Sequence, residues 1–217
     1  FVNLFIPSQL NWKTKHATIR QETRYPEEGL TKLTVRTARP SDFAIRLRKP
    51  WWATSGYSIT VNGKTISNSG EENGFIIVKR KWNNNDVLTF SAPMSLYTES
   101  MPDNPNRVAF LYGPLVLAGQ LGTQMPDPVY GVPVLLTANK NISDWITPAA
   151  APLTFTTKGV GKPMDVQLSP FYSTYQQYYS VYWDYFTPDQ WVSRQAEYEA
   201  EKKTAREIEE KTIDHFR

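Results

Sequence analysis

The sequence predicts a mainly β protein: an antiparallel, jelly-roll-like β-sandwich, then a smaller β-rich region, then a C-terminal α-helix. Three observations carry that expectation. Apolar and polar residues alternate up to about residue 120, as they do in strands with one dry and one wet face. Turn dipeptides separate these runs at short intervals, with no helical stretch between them. The end of the chain, residues 188–217, changes to a charged, helix-favouring texture behind a helix-start signal.

The opening "FVNLFIPSQL" has no basic leader region and reads as a strand entered mid-stream, as if cut from a longer chain. "TKLTVRT" puts Leu33 and Val35 on one face. "DFAIRLR" sets Phe43, Ile45 and Leu47 against Ala44, Arg46 and Arg48. In "YSITVNGKTIS", Asn62-Gly63 best tolerates positive φ at both centres of a type I′ turn, which predicts a hairpin. "GFIIVKRKW" and "DVLTFSA" flank a second turn, "NNND", and "NRVAFLYGPLVLAG" holds two apolar runs broken at Gly113-Pro114. The sandwich is therefore expected over residues 1–120.

Residues 121–150 lose periodicity, and the prolines of "QLGTQMPDPVYGVPVLL" predict a linker or long surface connection. A smaller β-rich region is expected over 151–187. Within it, "QQYYSVYWDYF" carries rings at both odd and even positions, which predicts a strand buried on both sides. "TPDQ", Thr187 to Gln190, is a capping box with proline at the first helical position, so a helix is expected over 188–217. Glu199–Lys203 and Glu207–Lys211 support it as i,i+4 pairs, while its thin apolar stripe reads as a solvated face. The end, "EEKTIDHFR", carries no cap and is expected to continue.

Composition narrows the function. With 40% hydrophobic and 21% charged residues the chain is ordinary globular protein, and a net charge of +3 with no aromatic-interleaved basic cluster argues against nucleic acid. The absence of cysteine excludes a disulfide framework, a thiolate metal site and a cysteine nucleophile in this chain. His16 and His215 lie near opposite ends without metal-ligand spacing, and both read as surface histidines. No cofactor or metal is expected. "GVGKP", Gly159 to Pro163, lacks the spacing and the Ser/Thr of a phosphate loop and reads as a turn. The paired acids Glu27-Glu28 and Glu71-Glu72 fall in turns, where carboxylates ordinarily just solvate the chain.

What remains as candidate binding chemistry is Trp51 and Trp52, and the polar corner "MPDNPN" with Asp103 and Asn104. Exposed indole faces stack on sugar rings, so the tryptophans could form a carbohydrate platform. Large rings at a corner after Pro50 could equally plug the open end of the sandwich. The mixed reading is that one ring plugs and the other is exposed. Asp103 precedes a strand, where an Asx-turn would satisfy its side chain.

The ordered combination "RLRKPW", "VNGK", "WNNND" and "RVAFLYGPLVLA" resembles the post-catalytic β-sandwich region of glycoside hydrolase family 127 (GH127), the β-L-arabinofuranosidase-like proteins. The likeness is strong over about residues 1–120 and looser over "PLTF", "VQLSPFY" and "YYSVYWDYF". It implies an accessory part of a bacterial enzyme, exported to the periplasm or outside the cell. In that family an (α/α)6 barrel holds the active site, with a zinc ion on cysteines and a glutamate and a further cysteine as nucleophile. None of those residues maps onto this cysteine-free chain. Two readings follow: a structural partner of the catalytic barrel, or a carbohydrate-binding module for arabinose-containing plant glycans at Trp51, Trp52, Asp103 and Asn104. An independent hydrolase is disfavoured because no acid/base or metal constellation is present. No membrane or nucleic-acid partner is expected.

Overall fold

The computed structural model describes all residues except 68, 125, 127–131 and 216–217, and the side chains of 214 and 215 are likewise left aside. The chain divides into two compact units, Phe1–Ser95 and Leu96–Arg217.

The first unit is a sandwich of two antiparallel sheets. Its strands are β1 (Ser8–Trp12), β2 (Ala17–Thr23), β3 (Leu30–Thr37), β4 (Ser41–Arg48), β5 (Ser58–Val61), β6 (Lys64–Thr65), β7 (Gly70–Glu72), β8 (Phe75–Trp82) and β9 (Asp86–Ser91). One sheet runs β1-β2-β3-β9-β5-β6 and the other β4-β8-β7. The alternation expected from sequence holds: Leu33 and Val35 of β3, Phe43, Ile45 and Leu47 of β4, and Leu88 and Phe90 of β9 are buried while their neighbours are wetter. The Asn62-Gly63 turn has φ of 52° and 77°, the two positive values a type I′ hairpin needs. Asn62 then reaches across the sheet. Its amide donates to Asp86 Oδ1 (2.8 Å) and its side-chain oxygen accepts from the Val87 N–H (2.9 Å), tying the hairpin to the start of β9. Asp86 in turn accepts from the Asn83 N–H at 2.8 Å, closing the "NNND" turn.

The second unit continues with β10 (Leu96–Ser100), β11 (Arg107–Tyr112), β12 (Leu115–Gly122), β13 (Val134–Leu136), β14 (Ile146–Pro148), β15 (Phe155–Thr157), β16 (Gly161–Lys162), β17 (Gln167–Pro170), β18 (Tyr178–Ser180), β19 (Tyr182–Phe186) and helix α1 (Pro188–His215). Its sheet runs β14-β15-β17-β12-β11-β19-β13-β16, with β10 on β11 and β18 on β12. All pairs are antiparallel except β13 with β19. Phe110, Leu117, Leu135, Leu168 and Trp183 form the centre of its core.

Three expectations change here. The division falls at residue 95 rather than about 120, because β11 and β12 pair with β19 and β17 of the later region. The stretch 121–150 is more than a linker: β13, β14 and a 3-10 turn at Ile142–Asp144 lie within it, and Trp145 and Ile146 enter the core. Its residues 125 and 127–131 lie outside the described residues. The tyrosine-rich strand is not buried on both sides. It breaks at Val181 into β18 and β19, with Trp183 buried but Tyr178, Tyr179 and Tyr182 exposed.

The helix begins as expected. The Thr187 N–H donates to Gln190 Oε1 (2.8 Å) and the Gln190 N–H to Thr187 Oγ1 (3.2 Å), the reciprocal bonds of a capping box. Among the described residues its first turns pack, through Trp191 and Tyr198 against Val134, Leu136 and Phe186. No helix among the described residues is long and apolar enough to cross a membrane.

Candidate functional site

Trp51 and Trp52 occupy the loop between β4 and β5, closed by the Ala53 N–H donating to the Pro50 carbonyl at 3.2 Å. The two rings part. Trp52 is 4% exposed and Trp51 70% exposed. Trp52 stacks on Tyr25 (6.4 Å between centroids), Tyr25 meets Phe5 (5.6 Å), and Phe5 lies flat on Phe90 (5.3 Å). This file of rings plugs one end of the sandwich. Burial pushes the Tyr25 phenol up, with a hydrogen bond to Trp52 partly opposing it. Beside the loop, Lys49 donates to Glu71 Oε2 at 2.9 Å, and the Tyr57 hydroxyl bonds the same carboxylate. Those hydrogen bonds, Tyr57 first, hold the Glu71 carboxyl below its usual value.

Asp103 and Asn104 sit in the second unit, before β11. Here Asn104, not Asp103, makes the Asx-turn: its Oδ1 accepts from the Asn106 N–H at 3.0 Å. Asp103 is exposed and adds negative charge near Arg107, whose Nε binds Asp184 Oδ1 at 2.8 Å. The four residues grouped from sequence are thus divided between the two units.

The other candidates are structural. His16 is exposed and takes a left-handed φ of 50° in the β1–β2 turn, and the side chain of His215 lies outside the described residues. Glu27 and Glu28 both pair with Arg24 (3.3 and 3.0 Å), Glu71 with Lys49 and Glu72 with Arg46. Among the described residues, no three His, Cys, Asp or Glu side chains gather as a metal site would require.

The "GVGKP" loop is an anion site already filled from within. Asp165 accepts N–H bonds from Gly159 (2.7 Å), Val160 (3.2 Å) and Gly161 (2.9 Å), and the Thr157 hydroxyl at 3.0 Å. Partial burial raises the carboxyl, but these donors outweigh it and leave its pKa below the ordinary 3.8. A depressed folded pKa stabilises the protein above the ordinary value, and that contribution fades as the pH falls through the folded one. Asp165→Asn should therefore cost about 1 kcal/mol at neutral pH, discounted for exposure of the side chain. Urea unfolding of both proteins at pH 7 and pH 3 checks this: the gap should narrow at pH 3, and a constant gap would assign the effect to packing.

The first unit also contains a feature with no sequence signal. Val2 docks on β4 through its N–H to the Arg46 carbonyl (2.7 Å) and its carbonyl to the Arg48 N–H (2.9 Å). Gln21 anchors Leu4 by donating to its carbonyl at 3.1 Å. Between this segment, β1, β2 and β4 lies a groove of about 680 Å³, walled by Leu4, Ile6, Leu10, Trp12, Leu33 and Ile45 among others. Phe1, Leu4, Ile6 and Leu10 are exposed along it.

Residues 1–94, nearly the whole first unit, match the family model described as "Beta-L-arabinofuranosidase, GH127 middle domain". The first unit is similar to a GH127 middle domain. Its sandwich agrees with the fold class expected from sequence. Solved structures extend the likeness in fold over both units. A GH127 beta-L-arabinofuranosidase from Geobacillus stearothermophilus T6 matches 86% of this chain and 33% of its own, at 20% identity and a TM-score of 0.65. A GH127 beta-arabinofuranosidase matches 86% of this chain and 36% of its own, at 21% identity and a TM-score of 0.64. The chain spans about a third of the length of the solved structures it matches. No curated protein sequence matches it.

Proposed function

We propose that this chain is the non-catalytic β-sandwich part of a β-L-arabinofuranosidase-like glycoside hydrolase, packing against and stabilising that protein's (α/α)6 catalytic barrel. The apolar groove of the middle domain carries this reading. Four large apolar side chains standing in water along one 680 Å³ concavity form the kind of surface that a partner covers. The match to a middle domain, and the one-third share of the neighbouring structures, support a partner within the same polypeptide. We extend the proposal, on the resemblance alone, to an exported location in the periplasm or outside the cell.

The test is sedimentation of this chain with the separately produced barrel of its parent enzyme. Association should be measurable, and Leu4→Asp/Leu10→Asp should weaken it by at least about tenfold while leaving thermal unfolding unchanged, since both side chains are exposed. No association by the unaltered chain, or association indifferent to the double substitution, sinks the reading.

A carbohydrate-binding module at Trp51 is the second reading, favoured by the exposure of that ring. It is weaker because Trp52 is in the core and the nearby Lys49, Tyr57 and Glu71 already satisfy one another. A two-ring platform does not form there.

A further inference from the structure

The second unit carries an exposed, aromatic-rich segment. Phe171, Tyr172, Tyr175, Tyr178, Tyr179 and Tyr182 are all exposed, Tyr175 to 72%. They fall on the 3-10 turn Phe171–Ser173, the loop after it, β18 and the start of β19. Phe171 and Tyr179 meet edge to face at 5.3 Å, which joins the turn to the strand. The turn is pinned from beneath. Gln120 of β12 donates to Ser169 Oγ (3.1 Å), Ser169 shares a hydrogen bond with Thr174 (3.0 Å), and Ser173 and Thr174 both donate to the Pro170 carbonyl (2.8 and 3.2 Å). Ser169 and Thr174 are buried, so the rings stand on an ordered base. An ordered base lowers the entropic cost of binding.

The chemistry of the segment selects its ligand. From Val166 to Trp183 there is no Asp, Glu, Lys, Arg or His. Between the rings stand small hydroxyls and amides, Ser173, Thr174, Gln176, Gln177 and Ser180, and one aliphatic side chain, Val181. Nucleic acid and anionic membranes need cations, and this segment supplies none. Tyrosine is also common at protein interfaces, so a second copy of the chain is the competing occupant that the test must separate. Flat rings edged with neutral hydroxyls and amides suit a neutral polyol, whose C–H faces stack and whose hydroxyls exchange hydrogen bonds. We infer that this surface binds neutral glycan chains, at a site separate from Trp51 and independent of how the middle domain packs.

Affinity electrophoresis of the whole chain in gels containing soluble arabinan, arabinoxylan or a β-glucan tests it, beside a gel without polysaccharide. Retardation is expected in at least one polysaccharide, unaffected by 0.5 M salt because no charges take part. Tyr175→Ala/Tyr179→Ala should reduce it at least about fivefold with unchanged circular dichroism, both side chains being exposed. Trp51→Ala should leave it intact. No retardation by any of the three, retardation that survives the tyrosine substitutions, or loss with Trp51→Ala alone would each overturn the inference. So would tyrosine-dependent self-association in sedimentation, which would assign the surface to a second copy of the chain.

Discussion

Trp82→Ala should destabilise the first unit by about 3–5 kcal/mol, the range for deleting a large buried ring. Trp82 ends β8 and is fully buried. Its ring stacks on Phe43 at 5.7 Å and lies 5.3 Å from the Arg80 guanidinium, and its indole N–H donates to the Phe43 carbonyl at 3.0 Å. Alanine removes all of that and leaves a cavity between the sheets, where β4 and β8 pair along their full lengths and cannot close inward. Trp82→Phe separates the two contributions. It keeps most of the volume but strips the donor, so about 1–3 kcal/mol should be lost. Urea unfolding of the whole chain is the measurement, fitted with separate transitions if the two units melt apart. A loss below about 1 kcal/mol for alanine would show that Trp82 is not the keystone its burial implies.

Gly119→Ala should cost the second unit about 3 kcal/mol, at the upper end of over-packing effects. Gly119 lies on β12, opposite Leu168 of β17 and Ser180 of β18. A Cβ there would stand 2.2 Å from Cζ2 and 2.3 Å from Cη2 of Trp183, and 2.7 Å from Val166 Cγ1. Trp183 is fully buried in the centre of the core, so its ring has nowhere to retreat. Its indole N–H has no hydrogen-bond partner among the described residues, so packing alone sets its position. Glycine is therefore required by a close approach rather than by a special φ. Gly70→Ala is the control, with nothing within 4 Å of its added Cβ, and should change stability by less than about 0.5 kcal/mol. Thermal unfolding with near-ultraviolet circular dichroism follows both. An unchanged melting temperature for Gly119→Ala would mean the strand shifts to admit the methyl group.

Both sites show where local pattern stops being informative. Trp82 closes a strand, FIIVKRKW, that does not alternate in sequence; its inward face shows only in the burial of Ile76, Val78 and Trp82. Gly119 looks like any glycine in a strand, because what forbids a side chain there arrives from Trp183, far along the chain. The tryptophan pair behaves likewise. That one ring would plug and one would be exposed follows from a corner after proline, but that Trp52 is the plug depends on Tyr25, Phe5 and Phe90 converging from other strands. The Asx-turn at "MPDNPN" was legible as a turn, while the choice of Asn104 over Asp103 came from where the Asn106 N–H points. Rings on both faces of the tyrosine strand suggest burial, and the break at Val181 leaves no local mark, so their exposure is not legible in the sequence.

By itself the sequence determined what depends on neighbours in the chain: the mainly β class, the alternating faces of β3, β4 and β9, the Asn62-Gly63 hairpin, the capping box at Thr187 and the resemblance to GH127 sandwiches. Those signals are short-range, since side-chain period, turn φ and cap hydrogen bonds act over a few residues. Only the tertiary structure decided the boundary at residue 95, the apolar groove beside β1 and the exposure of the tyrosines between Tyr172 and Tyr182. Each of these is set by which strands pair across long sequence separations, and burial is a property of that pairing rather than of any residue alone.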